Sequence, residues 1–237
     1  MSGVAVLLSV LIGALVLISL VLSIIVFMNS GLSARSLFYS LTAFCVAVYS
    51  IVGYIWTTWD GVDENYMFTV LKISEAILPL LTYAMFMGAL TFTMIKRSTY
   101  TKIGLLGAVP IIVTAIAVWT WNTSKSMTGI SVSLPEGGGE PTAVFNPIGN
   151  IWIYIIMLAF IGLTFAAFAV AIKRQPNAIS KKIIRTAMIG GIIAVVFTLG
   201  FNSVVGIIPY AHSIGHLGLF VFIFASYRAF VRDYSIE

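Results

Sequence analysis

Two pairs of residues carry whatever chemistry this sequence could do. Lys72 and Glu75 stand three apart inside a long apolar run, and His212 and His216, the only histidines, stand four apart near the end of the chain. Residues at either spacing share one face of a helix, about one turn from each other. A charged side chain in hydrocarbon costs about 2.5–3.5 kcal/mol on insertion scales, so Lys72 and Glu75 are expected to face protein and find partners. Three readings stay open for them. They form a structural ion pair with Lys72 snorkelling outward, they line a polar pocket or proton-sensitive site, or Glu75 is a neutral, hydrogen-bonded carboxyl. Pro79, four residues on, cannot donate a hydrogen bond to the Glu75 carbonyl and is the expected pivot of its helix.

The histidine spacing is one that metal or haem ligation uses. Two histidines on one helix nevertheless leave a tetrahedral site two ligands short, and Cys45 is the only cysteine. A haem clamped between helices would take histidines from different helices. No cofactor is therefore expected. Hydrogen bonding between helices is the plain role for His212 and His216, with a pH-sensitive one open because imidazole titrates near neutrality. Asn202, Ser203 and Tyr54 complete the polar inventory at that depth. Such groups commonly join membrane helices by hydrogen bonds. The sharper reading is a ligand-binding cavity in which Lys72, Glu75, Asn202, His212, His216 and Tyr54 converge.

Other chemistries find no residues. The run 210–230 has no lysine for a retinal Schiff base, and no phosphate-binding loop, HExxH or GxSxG pattern occurs, so an enzyme is not expected. Gly104, Gly107, Gly190 and Gly191 are expected to serve close helix packing. Asn122-Thr123-Ser124 matches a glycosylation sequon.

These residues need elements to position them, and composition says which. Of 237 residues 60% are hydrophobic and 9% charged, with mean hydropathy +1.07. Soluble domains carry about 25% charged residues, so the surface of this chain must largely face lipid. Seven runs reach the roughly 20 residues that cross a bilayer as helix: 4–28, 37–56, 66–95, 103–121, 148–172, 184–207 and 210–230. None alternates as barrel strands do. The first is too long for the apolar core of a signal peptide and lacks a basic start, so it is read as a span. The fold expected is an all-α polytopic membrane protein, one seven-helix transmembrane domain over 1–237.

Boundary residues agree. Asn146-Pro147 opens the fifth helix as cap and first turn. Pro209 makes helices six and seven antiparallel neighbours, and Gln175-Pro176-Asn177 marks a turn with Ser180 available as the cap of helix six. The segment 122–147 reads as a long loop, and no internal repeat of the transporter kind is visible.

Arg35, Lys96, Arg97, Lys102, Lys173, Arg174, Lys181, Lys182, Arg185, Arg228 and Arg232 fall on one side of that map, eleven cations against Lys125 alone on the other. Positive loops stay inside, so the N-terminus is expected outside and the C-terminus in the cytoplasm of a cell membrane. Asp60, Asp63, Glu64, Glu136, Glu140 and all five tryptophans mark the outer side. The net charge of +5 is thereby spent on topology, and nucleic acid is not an expected partner.

Several stretches resemble the N-terminal seven-transmembrane sensor region of membrane histidine kinases and related signalling proteins. They are Ile77-Leu78-Pro79-Leu80-Leu81 with Tyr83 and Phe86, then Val109-Pro110-Ile111-Ile112, and the basic turn Lys173–Arg185 leading into Gly190-Gly191 and Asn202. Ala225-Ser226-Tyr227-Arg228 with Val231-Arg232-Asp233-Tyr234 is similar to the family's exit into the cytoplasm. The resemblance implies an input bundle without catalytic residues, followed by an output domain; this sequence stops at Glu237, where such a domain would begin.

The leading expectation is a non-enzymatic sensor or signal-transducing module with an outer-facing polar cavity. It would act on a separate membrane or cytoplasmic protein through Lys173, Arg174, Lys181, Lys182, Arg185, Arg228 and Arg232. The alternative is an accessory subunit of a larger membrane complex; a small-solute transporter and a haem or quinone redox subunit rank below both.

Overall fold

In a computed structural model the protein is described over residues 3–29, 33–58, 64–120, 127–132, 141–145, 147–202 and 211–231. Seven helices long and apolar enough to cross a membrane account for nearly all of it. They are α1 (Gly3–Asn29), α2 (Ala34–Thr58), α3 (Glu64–Leu90), α4 (Arg97–Thr120), α5 (Pro147–Arg174), α6 (Ala178–Asn202) and α7 (Ala211–Val231). Helix is forced on such segments because hydrocarbon offers no partner for a backbone N–H or C=O.

The most buried helices are α2, α3 and α7. α2 is central: it packs on α1, on α3 and on α7, while α5 lies against α3, and α6 pairs with α7 over the most extensive contact in the bundle. α4 touches chiefly α3 and leaves Leu105, Leu106, Val109, Ile112, Val113 and Ile116 on the outside, as lipid-facing residues should be.

Packing follows residue size. A Cβ at Gly190 would meet Ala225 Cβ at 2.5 Å, and one at Gly218 would overlap Phe197 Cβ, so α6 and α7 approach at the backbone. Gly104 and Gly107 admit Met87 and the ring of Tyr83, whose hydroxyl donates to the Gly104 carbonyl at 2.8 Å. On α1 the buried residues Ser9, Ile12, Val16, Ser19, Ser23 and Val26 recur at three- and four-residue steps, the seam of an antiparallel pair with α2. Ser23 Oγ donates to the Ser40 carbonyl at 2.9 Å across that seam.

Several boundaries differ from the hydropathy reading. α3 stops at Leu90, not at 95: a 3-10 turn, Thr91–Thr93, tightens the end, and Met94 takes the left-handed conformation (φ 56°) that turns the chain. α4 begins at Arg97 and α6 at Ala178, each several residues before its apolar run, because helix persists into the polar interface where hydropathy falls. Asn177, not Ser180, caps α6, its Oδ1 accepting from Ile179 N at 2.8 Å. Within 122–147 the expected loop holds an antiparallel pair of strands, β1 (Met127–Val132) and β2 (Pro141–Phe145), with Ile130 opposite Ala143. Both are short runs with β-branched residues around the glycine-rich stretch 133–140, a hairpin signal that loop composition masked. α5 starts at Pro147 as the sequence indicates; Asn146 and Pro209 lie outside the described residues.

Candidate functional site

The best-defined polar cluster sits between α2 and α7, near the end of the bundle opposite the basic residues. His216 is five residues into α7, about 8 Å along its axis, and is 1% exposed. Its imidazole stacks on Tyr49 with ring centroids 4.3 Å apart and planes inclined by 28°. One turn further along α2 stands Gly53, and a Cβ there would come within 2.8 Å of His216 Nε2 and 2.9 Å of Cδ2. Tyr49 and Gly53, four apart, therefore present a ring and a gap on one face of α2, and the imidazole occupies both. Ser50 and Ser213 are fully buried on the same two helices. Thr198 Oγ1 donates to the Gly215 carbonyl at 3.3 Å, tying α6 to the same turn of α7.

Glu75 lies eleven residues into α3, about 16 Å from its start, and is 7% exposed. It shares its helix face with buried Met67, Leu71 and Ser74. Among the described residues, Glu75 is the buried carboxyl and His216 the buried imidazole of the central helices. Lys72 is half-buried and Pro79 buried; Thr82 Oγ1 donates to the Pro79 carbonyl at 3.0 Å, and α3 runs through the proline as a single helix. α3 and α7 both pack on α2 and only marginally on one another.

Of the other expected cavity residues, Tyr54 is 41% exposed on the bundle surface. Asn202 ends α6 and His212 is in the first turn of α7, but their side chains, like Ser203 as a whole, lie outside the described residues. Tyr49, Ser50 and Gly53 were not anticipated. A glycine inside an apolar helix is a sign of close approach, and with Tyr49 one turn before it that sign was readable. Among the described residues no group of three or more His, Cys, Asp or Glu gathers.

The basic end has its own construction. Arg35, at the start of α2, places its guanidinium 4.6 Å from the centroid of the Phe92 ring. Phe92 meets Phe230 of α7 edge-on at 5.0 Å, and Phe230 packs on Tyr39, whose hydroxyl donates to the Ile223 carbonyl at 3.2 Å. Arg174 Nη1 donates to the Thr93 carbonyl at 3.0 Å, so the end of α5 satisfies the end of α3. Between them opens a cleft of about 70 Å³ lined by Arg35, Phe92, Met94, Gln175, Ser180 and Ile184, among others. Lys173, Arg174, Lys182, Arg185 and Arg228 are exposed around this end and Lys181 is half-buried; Arg232 is outside the described residues.

Comparison with known proteins gives no matching family model and no matching curated sequence.

Proposed function

We propose that this chain is a non-enzymatic seven-helix membrane sensor that reads a stimulus at the Tyr49–Gly53–His216 cluster and Glu75, and passes its state to a partner protein at the basic end. The observation that carries the reading is the burial of a carboxyl, Glu75, and an imidazole, His216, where the other buried side chains among the described residues are apolar or weakly polar. Charged or chargeable groups in a membrane interior are costly, so their presence favours function. Histidine changes charge in the physiological range, and a new charge between Tyr49 and Gly53 would favour any arrangement that hydrates it.

α7 supplies the route. It carries His216 near one end and Phe230, wedged among Phe92 and Tyr39, at the other. A shift or rotation of α7 at the histidine would be felt at the Arg35–Phe92 contact and among the exposed cations beside it. The chain would span the cell membrane with its N-terminus outside and its C-terminus in the cytoplasm, a direction supported by the eleven cations at one end.

Spin labels at Arg228 and Lys102, in full-length protein reconstituted in liposomes, test this. Their separation is expected to change as external pH is lowered through the range where histidine titrates, and to stay constant in His216→Gln. Glu75→Gln is expected to reduce the change. Equal responses in the wild type and both variants would exclude the proposed input site.

A further inference from the structure

α5 and α6 are consecutive, antiparallel helices, yet they meet far less extensively than α6 and α7 do. They touch where the ring of Phe165 lies 3.4 Å from the Cβ position of Gly191. Beside that contact runs a furrow open to the outside of the bundle. Its wall on α5 is Gly162, Ala166 and Ala169, all exposed, with Lys173 one turn beyond them on the same face. On α6 the facing row is Lys181, Arg185, Met188 and Ile192, at the same three- and four-residue steps. Arg185 and Ile192 are exposed, and Lys181 and Met188 half-buried. In antiparallel helices that touch at Phe165 and Gly191 the two rows lie on one side of the contact, so three cations crown one end of a single apolar groove. We infer that the groove binds an anionic phospholipid, with an acyl chain between α5 and α6 and the phosphate at Lys173, Lys181 and Arg185.

Charge and depth select that occupant. The carboxylates among the described residues, Glu64 and Glu75, belong to the half of α3 at the other end of the bundle, and neither balances these cations. Arg174 is engaged elsewhere, with the Thr93 carbonyl. A guanidinium takes phosphate oxygens in pairs and an ammonium takes them singly, so the crown suits a phosphate of net negative charge. Val170 and Ile189, one turn further into the bundle than Lys173 and Arg185, are exposed and apolar. A helix face that passes from apolar to cationic within a turn marks the level where hydrocarbon gives way to headgroups, and long basic side chains reach outward there. That level is out of reach of a soluble acidic protein. A second copy of the chain docked by the same face would set these cations against their own kind. The α5 wall of glycine and alanine is bare, since a Cβ at Gly162 would find nothing within 4 Å, and it leaves room for a chain. Neither Glu75 nor His216 takes part, so the site stands apart from the proposed input.

Full-length protein in mild detergent is mixed with phosphatidylglycerol and phosphatidylcholine, and retained lipid is read by native mass spectrometry. Wild type is expected to keep phosphatidylglycerol in preference to phosphatidylcholine, and to keep it against excess inorganic phosphate. Arg185→Gln should hold it about tenfold less well, the loss that follows removal of one charge-assisted hydrogen bond. Ala166→Leu fills the groove without touching a charge, and it should weaken retention as well. Both positions are exposed, so the fold survives either change, as thermal unfolding shows. Lys102→Gln, which removes an exposed cation of α4 at the same end, should behave as wild type. Loss in Arg185→Gln with full retention in Ala166→Leu would leave a charged collar and no groove site, and release by inorganic phosphate would leave an anion site without a lipid. A dimer mass in place of bound lipid, abolished by Ala166→Leu, would make the occupant a second copy. Each of these results, like equal retention by wild type and both variants, would overturn the assignment.

Discussion

The imidazole of His216 lies over the bare Cα of Gly53, and the absence of one methyl group on α2 is what allows it to lie there. Tyr49, one turn back on the same helix, stacks on the imidazole with ring centroids 4.3 Å apart, so a methyl group at Gly53 would press on a ring that already has a packed neighbour. Gly53→Ala should therefore destabilise the protein by about 1–3 kcal/mol, as overpacking of a tight interior does. Thermal unfolding in detergent measures this. In the His216→Ala background the same substitution should cost about 1 kcal/mol less, because the two sites are in contact and their effects do not add.

Gly218 and Gly200 make a matched pair. A Cβ at Gly218 would overlap Phe197 Cβ and lie 3.3 Å from the Ala194 carbonyl, so α6 and α7 would have to part; at Gly200 nothing lies within 4 Å. Gly218→Ala is expected to lower the unfolding temperature. Gly200→Ala, in the last turns of α6, should leave it unchanged or raise it, since alanine favours helix over glycine by about 0.5–1 kcal/mol.

Trp152 Nε1 donates to Thr114 Oγ1 at 3.2 Å, a side-chain bond from α5 to the loosely held α4. Trp152→Phe keeps a ring and removes the donor. Such bonds between membrane helices average about 0.6 kcal/mol, so a small loss of stability is expected. Proteolysis of α4's ends should quicken more than global unfolding, and equal acceleration of both would assign the bond no local role.

Orientation has a direct chemical test. Cys45, the only cysteine, is fully buried and should not react with a polar maleimide. A cysteine at Lys182 should react only after the cells are permeabilised, and one at Glu136 in intact cells. The reverse pattern would invert the direction proposed for signalling.

How much of this was readable without coordinates depended on the range of the physics. Each span can satisfy its own backbone in lipid only by becoming a helix, so seven apolar runs identified seven helices without reference to one another. Their ends were harder. α4 and α6 extend past their apolar runs because a helix does not stop where hydropathy drops, and α3 ends early because Thr91, Thr93 and Met94 form a turn that hydropathy does not register. His212 and His216 were conspicuous by type and spacing. The partners of His216 were not, since Tyr49 and Gly53 are ordinary residues of an apolar helix until something is laid against them.

From its own composition, then, the chain determined a membrane-spanning helical bundle, the number of its helices and the gathering of its cations at one end. Those properties come from each segment's separate encounter with lipid, water and charge. Tertiary structure alone decided that α2 stands between α3 and α7, that His216 rests on Tyr49 and Gly53, and that Arg35, Phe92 and Ser180 share a cleft. Such neighbourhoods depend on which helix faces turn inward, and that is settled by the fit of many side chains at once, small residues where backbones meet and large ones where they part.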